Sequence, residues 1–365
     1  MNNQKKFSGT SLILALNPRI PFTRIGVYEN AKRIYFKEIN HPKEELIKFK
    51  SIYEQVSYRK DAIFAELKEK KININDIEII VSRGGFLKPV KSGIYMVNEK
   101  IIEDLIDCKI GNDIINIGGL IADDIAKDIP DANAYIADPV VVDEFDDIAR
   151  VTGIPEIKRK SIFHALNQKA IGKRYANTIG KKYEELNLII AHLGSGITIG
   201  AHCKGRVIDA NQGYDGDGPF SAIRAGSLPV GDLINLCYSG KYTKEEILRK
   251  VSCEGGLHAH LGTHDAYEIE KNLYNGDEKS LFIFDAMVYQ VAKAIGSMVP
   301  VLFSKVNAIL ITGAIAQSNW FVERLMERVG SLAPVSVYPG SDDIESLALK
   351  GLAVLREKEE VLEYK

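Results

Sequence analysis

The stretch LIIAHLGSGITIGAHCKGRVID, residues 188–209, decides the fold. An apolar run, 188–192, breaks at Gly194-Ser195-Gly196; a second run, 197–202, turns at Lys204-Gly205 and returns over 206–209. Short apolar runs divided by Gly-containing turns read as consecutive antiparallel strands. The same strand–loop–strand–turn–strand unit stands near the start of the chain over 11–16, 24–28 and 33–36, with its break at Asn17-Pro18. Repetition of a structural pattern at roughly half-chain spacing predicts two similar domains around a cleft.

Outward from these units, a strand over 308–312 runs into Thr312-Gly313-Ala314 and one over 79–82 into Arg83-Gly84-Gly85. Helical patterns cover 44–70, 119–127, 161–181, 266–302 with a break at Asn275-Gly276, and 344–360 after the N-cap signal Ser341-Asp342. Strands alternating with helices favour an α/β architecture, and 365 residues exceed what one core usually serves.

Lys and Arg total 47 against 49 Asp and Glu, so no net field draws the chain to nucleic acid or an anionic membrane. The basic segment 1–7 is followed by an apolar run that Asn17-Pro18 interrupts, unlike a signal sequence, and no stretch reads as the roughly 20 apolar residues of a span. Cys108, Cys203, Cys237 and Cys253 are scattered without CxxC spacing. A cytoplasmic enzyme with a small-molecule partner is expected.

Strand-end loops at Asn17, Gly194 and Gly313 are candidates to converge on one phosphate-bearing ligand, since backbone N–H groups at such turns hold anionic oxygens. Asp138 closes an apolar strand beginning near Ala134, where a carboxylate suits Mg²⁺ or serves as a turn or N-cap residue. His164 sits among apolar neighbours as a helix-face histidine would, and Arg83 and Arg224 precede loop glycines, either as anion clamps or as solvated side chains.

VSRGG (81–85), DPVVVDE (138–144), GIPEIKRKSIFHALNQKA (153–170), KGRVIDAN (204–211), DGDGPF (215–220) and LPVGDL (228–233) resemble the butyrate kinases, allied to acetate kinase within the sugar kinase, Hsp70 and actin superfamily. The resemblance runs through most of the chain. It implies duplicated ribonuclease H-like, actin-like ATPase domains: an acyl-substrate and phosphate domain over 1–150 plus 343–365, and a nucleotide-binding domain over 151–342. It implies ATP/ADP and Mg²⁺ as cofactors, phosphorylation of butyrate or a similar carboxylate, and a homodimer or higher oligomer. Arg83 and Arg224 would bind carboxylate and transferring phosphoryl, Asp138 would hold Mg²⁺ or orient the acceptor, and His164 would stabilise the transition state. Asn17, Thr23, Arg24, His192, Gly194, Gly196, Asp265 and Gly313 would contact the nucleotide.

The departures concentrate on the ATP side. The family's NPGSTSTK is here NPRIPFTR, 17–24, so Arg19 replaces glycine while Ile20, Pro21 and Phe22 replace residues that meet phosphate. Ser195 occupies a glycine position, Ile223 a glutamate, Asp113 a histidine, Ala314 a glycine and Tyr267 an arginine; the acid expected before the last helix falls on Ile344, or on Asp342 or Asp343 by a small shift. A kinase with altered phosphate contacts is the expectation, with a non-catalytic carboxylate-binding relative as the alternative. Phe22 turned into the core would mark a retired site.

Overall fold

The computed structural model describes residues 12–107, 111–340 and 343–365; Ser11, Cys108 and the Ser341-Asp342 cap signal lie outside the described residues. The chain divides into two compact units, Met1–Val141 with Asp342–Lys365, and Val142–Ser341. In the first, strands β1 (Leu12–Pro18), β2 (Phe22–Glu29) and β3 (Lys32–Asn40) precede helices α1 (Lys43–Leu46) and α2 (Gln55–Glu69). Then come β4 (Ile77–Arg83), β5 (Ile94–Met96), α3 (Glu99–Asp107), α4 (Ile117–Lys127) and β6 (Asn133–Ala137). The second holds α5 (Ala165–Thr178), β7 (Asn187–Leu193), β8 (Ile197–Cys203), β9 (Arg206–Ala210), α6 (Val230–Cys237), α7 (Lys244–Ser252) and α8 (Gly256–Leu261). It continues through α9 (Ala266–Tyr274), α10 (Glu278–Val301), β10 (Ala308–Gly313), α11 (Asn319–Val329) and β11 (Val335–Pro339). Helix α12 (Asp343–Leu355) and β12 (Val361–Leu362) return to the first unit.

The duplication is explicit in the strand order. One sheet runs β12-β5-β6-β4-β1-β2-β3 and the other β11-β10-β7-β8-β9. In each, three antiparallel strands (β1, β2, β3; β7, β8, β9) extend into two parallel ones, β4 and β6 or β10 and β11, added to the first. This is the duplicated actin-like α/β architecture. Strands β1, β4, β7 and β10 read as almost unbroken apolar runs because both faces are covered. Edge strand β3 is largely exposed and carries Lys32, Arg33, Lys37 and Glu38, charges that discourage pairing with another edge.

Several expected helices shorten. The pattern over 44–70 divides into α1 and α2 around Ser51, whose side chain accepts from the Tyr53 N–H and starts a new turn. The pattern over 161–181 becomes helical only from Ala165. The break at Asn275-Gly276 separates α9 from α10 as expected, with Gly276 at φ +84°. Contrary to the sequence reading, α10 is long and apolar enough to cross a membrane by length and composition. In the fold its stripe of Phe284, Met287, Val288, Val291 and Ile295 is buried in the second unit's core.

Helix α12 lies across the first sheet: Gly351 nestles against Val81, Ile13 and Ile79, and Ile344 packs onto the bare backbone of Gly26. A Cβ at Gly26 would collide with Ile344 Cγ2. Gly26→Val is therefore expected to destabilise the protein by about 1–3 kcal/mol through overpacking, and adding Ile344→Ala should recover part of that loss. Urea unfolding of the two single variants and the double variant checks this; strict additivity would refute the contact.

Candidate active site

The first loop is shorter than its sequence suggests. Asn17 pairs with Arg24 and Pro18 with Thr23 in the β1–β2 ladder, so only Arg19, Ile20 and Pro21 lie outside the strands. The Arg19 N–H donates to the Phe22 carbonyl at 2.8 Å, closing a tight turn. Against it lies Arg59 of α2, a wholly buried arginine that sequence reasoning missed. Its Nη1 donates to the carbonyls of Arg19 (3.0 Å) and Phe22 (3.3 Å) and to the Thr23 hydroxyl (2.9 Å). Nη2 donates to the Ile20 carbonyl at 3.2 Å, and both Nη2 and Nε donate to Gln55 Oε1 at 2.9 and 3.1 Å. The signal was present but weak: Gln55 and Arg59 stand on the buried stripe of α2 with Ile63 and Leu67, at steps of four.

Two of the expected nucleotide contacts, Thr23 and Arg24, are engaged within the first unit. Thr23 is wholly buried, its hydroxyl held between Arg59 and His41 Nε2 at 2.8 Å, so it anchors the turn from inside. Arg24 donates from Nε to Glu38 Oε1 at 2.6 Å across β2 and β3 and stacks 5.2 Å from the Phe22 ring. Phe22 is only partly buried, so the mark of a retired site is not met.

Asn17, in contrast, joins a charged cluster. Its Nδ2 donates to Asp343 Oδ2 at 3.1 Å, and the same oxygen receives Arg19 Nη2 at 3.3 Å and has Arg83 Nη1 at 3.9 Å. The acid expected before the last helix is thus Asp343, in the first turn of α12; Ile344 is the apolar residue that packs the helix down. Burial and the neighbouring Arg83 charge lower the Arg19 pKa to about 10, against the pull of Asp343. Two guanidinium groups sharing one carboxylate favour an anion at this position. Among the described residues, the buried Oδ1 of Asn17 has no hydrogen-bond partner. An acceptor of that kind beside a carboxylate fits a hydrated divalent cation.

Asp138, expected to hold Mg²⁺ or orient the acceptor, is engaged by neighbouring groups. Its carboxylate, almost wholly buried, accepts from Ser92 Oγ (2.6 Å) and the Gly93 N–H (2.8 Å), with Lys350 Nζ at 3.3 Å. Lys350 in turn pairs with Glu359. A cation on Asp138 would compete with the Lys350 ammonium, as one on Asp343 would with the Arg19 guanidinium at the same distance. Among the described residues no three His, Cys, Asp or Glu side chains gather as a metal site.

In the second unit, His164 stands at the N-cap of α5 and stacks on His192, ring centroids 3.9 Å apart at 21°. Nδ1 of His164 meets Thr198 Oγ1 at 2.8 Å, and Nδ1 of His192 meets Asn167 Oδ1 at 2.8 Å. The residue order that reads FHALNQ thus puts His164, Asn167 and Gln168 on one side of a helix start facing β7 and β8. Arg224 donates through Nη1 to the Gly213 carbonyl and lies 5.3 Å from the Tyr214 ring centroid. Its guanidinium rests on Gly196, where any Cβ would strike it. Gly313, at φ +101°, presses against the Leu193 backbone, so the Gly194 and Gly313 loops are neighbours at the ends of adjacent strands. Asp265 is an exposed N-cap accepting from the Tyr267 N–H at 2.9 Å.

Residues 154–336 match the Acetokinase family. Butyrate kinase 2 of Clostridium acetobutylicum is 47% identical, over 97% of this chain and 99% of that protein. A probable butyrate kinase of Clostridium botulinum is 46% identical over 96% and 99%. The chain belongs to the acetokinase family. Among solved structures, a Porphyromonas gingivalis acetate kinase aligns with a TM-score of 0.73 at 16% identity, covering 94% of this chain and 100% of that one. A Francisella tularensis propionate kinase aligns with a TM-score of 0.74 at 17% identity, covering 93% and 98%. At those identities the likeness concerns the fold.

The β1–β2 turn rests on Arg59, so Arg59→Met, which strands turn carbonyls in the interior, is expected to cost about 2–4 kcal/mol in urea unfolding. His41 beside it has its pKa lowered to about 4 by burial and then by the Arg59 charge. The folded value lies below the ordinary histidine value near 6.5, so the unfolded chain takes up the proton first. The contribution is whole above pH 6.5 and fades as pH falls toward 4. His41→Gln should flatten the stability curve over that window; an unchanged slope would refute the assignment.

Proposed function

We propose that the protein transfers the terminal phosphoryl group of ATP to butyrate, giving butyryl phosphate and ADP. The observation that carries this reading is the 46–47% identity to butyrate kinases over nearly the whole chain. One carboxylate oxygen of the acceptor forms a bond to the γ-phosphorus as the bond from phosphorus to the β–γ bridging oxygen of ATP breaks, and that oxygen leaves with ADP. Such transfer needs positioning and charge stabilisation rather than covalent participation by the protein.

In the first unit, which takes the acyl and phosphate groups, Arg83 and Arg19 provide paired guanidinium groups for anionic oxygens, with Asp343 holding Arg19 in place. In the second, which takes the nucleotide, Gly194, Gly196 and Gly313 leave room for close backbone approach, and Arg224 and His164 donate to charge developing on the phosphoryl group. Mg²⁺, when bound, neutralises phosphate oxygens. Asn17 and Asp343 would hold it. His192 supports His164 by stacking, and Asp265 shapes the start of α9.

Nothing observed favours the non-catalytic alternative. The acid of the last helix is present as Asp343, and Arg19, which replaces a glycine, stands in the charged cluster instead of filling the turn. The apolar helix α6 buries none of its residues, with Val230 69% and Ile234 51% exposed. A homodimer formed over this helix would cover them.

Trapping acyl phosphate with hydroxylamine while following ADP should show equal amounts of both with butyrate. Folded protein that binds Mg-ATP yet forms no hydroxamate would overturn the reading. Arg19→Ala should raise KM for ATP roughly tenfold or more, the scale of one charge-assisted hydrogen bond. Acetate, propionate and valerate should fall behind butyrate in kcat/KM by factors of about 10–200 per methylene. The double change Val230→Glu with Ile234→Glu should give monomer in sedimentation velocity.

A further inference from the structure

Behind His164 the second unit holds a continuous row of buried polar side chains. Tyr183 OH meets His202 Nδ1, and His202 Nε2 meets Gln168 Oε1 at 2.9 Å. Gln168 Nε2 donates to Thr198 Oγ1 at 2.9 Å and to the Thr198 carbonyl at 3.0 Å, and Thr198 Oγ1 meets His164 Nδ1 at 2.8 Å. Gln168 and His202 are wholly buried and Thr198 is 1% exposed. Gly200 keeps the row closed, because a Cβ there would strike Gln168 Oε1.

The direction of every hydrogen bond in this row follows from one atom that can only accept, the Thr198 carbonyl oxygen. The Gln168 amide must turn its NH₂ toward it, which leaves Oε1 as an acceptor facing His202. His202 Nε2 therefore carries a proton. Burial, with the nearby Lys169 charge, lowers the His202 pKa well below its ordinary value, so the ring is neutral and its Nδ1 accepts from Tyr183. At the other end, Thr198 Oγ1 already receives Gln168 Nε2 and the His164 backbone N–H at 3.3 Å, which occupy its two lone pairs. Its own proton then points to His164 Nδ1.

We propose that Thr198, oriented by Gln168, His202 and Tyr183, holds His164 in the neutral tautomer whose proton is on Nε2, so that this nitrogen always presents a donor to the transferring phosphoryl group. The inference rests on the phosphotransferase reading of His164. The four residues act through His164 and are positioning residues for the reaction. The opposite tautomer would place three donors around the two lone pairs of Thr198 Oγ1, a buried hydroxyl.

Long-range ¹H–¹⁵N correlation on ¹⁵N-histidine-labelled protein reads the tautomer directly. The wild type should show His164 protonated at Nε2 with Nδ1 unprotonated; the reverse pattern overturns the proposal without any variant. Thr198→Val, which keeps the shape and removes the hydroxyl, should give mixed tautomers and lower kcat about tenfold, the scale of one neutral hydrogen bond, with both KM values within about twofold. Thr198→Ser should restore both. A Thr198→Val enzyme with wild-type kcat and a wild-type spectrum would also overturn it. His164→Ala separates the two claims: full turnover in that variant would remove the catalytic reading of His164 and this inference with it. Lost turnover together with a wild-type Nδ1 proton would remove this inference alone.

Discussion

One carboxylate, Asp343, closes the first unit. Residues near the two ends of the chain meet on its Oδ2, where Asn17, Arg19 and Arg83 approach within 3.1 to 3.9 Å. The meeting depends on α12 lying flat on the sheet, with Gly351 over Ile13 and Val81 and Ile344 over Gly26. Apolar packing sets the height and rotation of the helix. The carboxylate is then delivered, buried, to the ends of β1 and β4. Removing it would leave two guanidinium groups facing each other, since the attraction of Asp343 opposes the Arg83 repulsion acting on Arg19.

The β1–β2 turn shows a second way of holding charge in an interior. Among the described residues Arg59 has no carboxylate as a hydrogen-bond partner; three turn carbonyls, a hydroxyl and a side-chain amide accept from it. The turn is thereby held from below by Arg59, and it carries Arg19 to Asp343. In the second unit the polar interior is neutral instead, organised by amide, hydroxyl and imidazole groups around Thr198. Both arrangements fix a charged or polar side chain, Arg19 or His164, by hydrogen bonds made behind it.

Much of this was legible beforehand. The two three-stranded units, the glycines after β7 and β10, and the break between α9 and α10 all follow from local chemistry: apolar runs, turn residues and φ > 0 positions. Asn17, Arg83, His164 and Arg224 were picked out by motif, and Asn17 and Arg83 meet at Asp343. Thr23 and Asp138 were picked out too, without sight of the partners that engage them. Their residue types suit ligand binding, but Arg59 and Lys350, 36 and 212 positions away, take up their oxygens. Partners at that separation leave no trace in a local pattern.

What the sequence by itself determined is the duplicated α/β architecture and its membership among the acetokinases, because strand periodicity, turn chemistry and long matching strings are properties of neighbouring residues. Only the tertiary structure decided which acid completes the Asn17 cluster, that the rewritten turn rests on a buried arginine, and that the polar row from Tyr183 ends on His164. Those are contacts between residues far apart in the chain, and which side-chain oxygen or nitrogen remains available for chemistry is settled only after the interior has satisfied the rest.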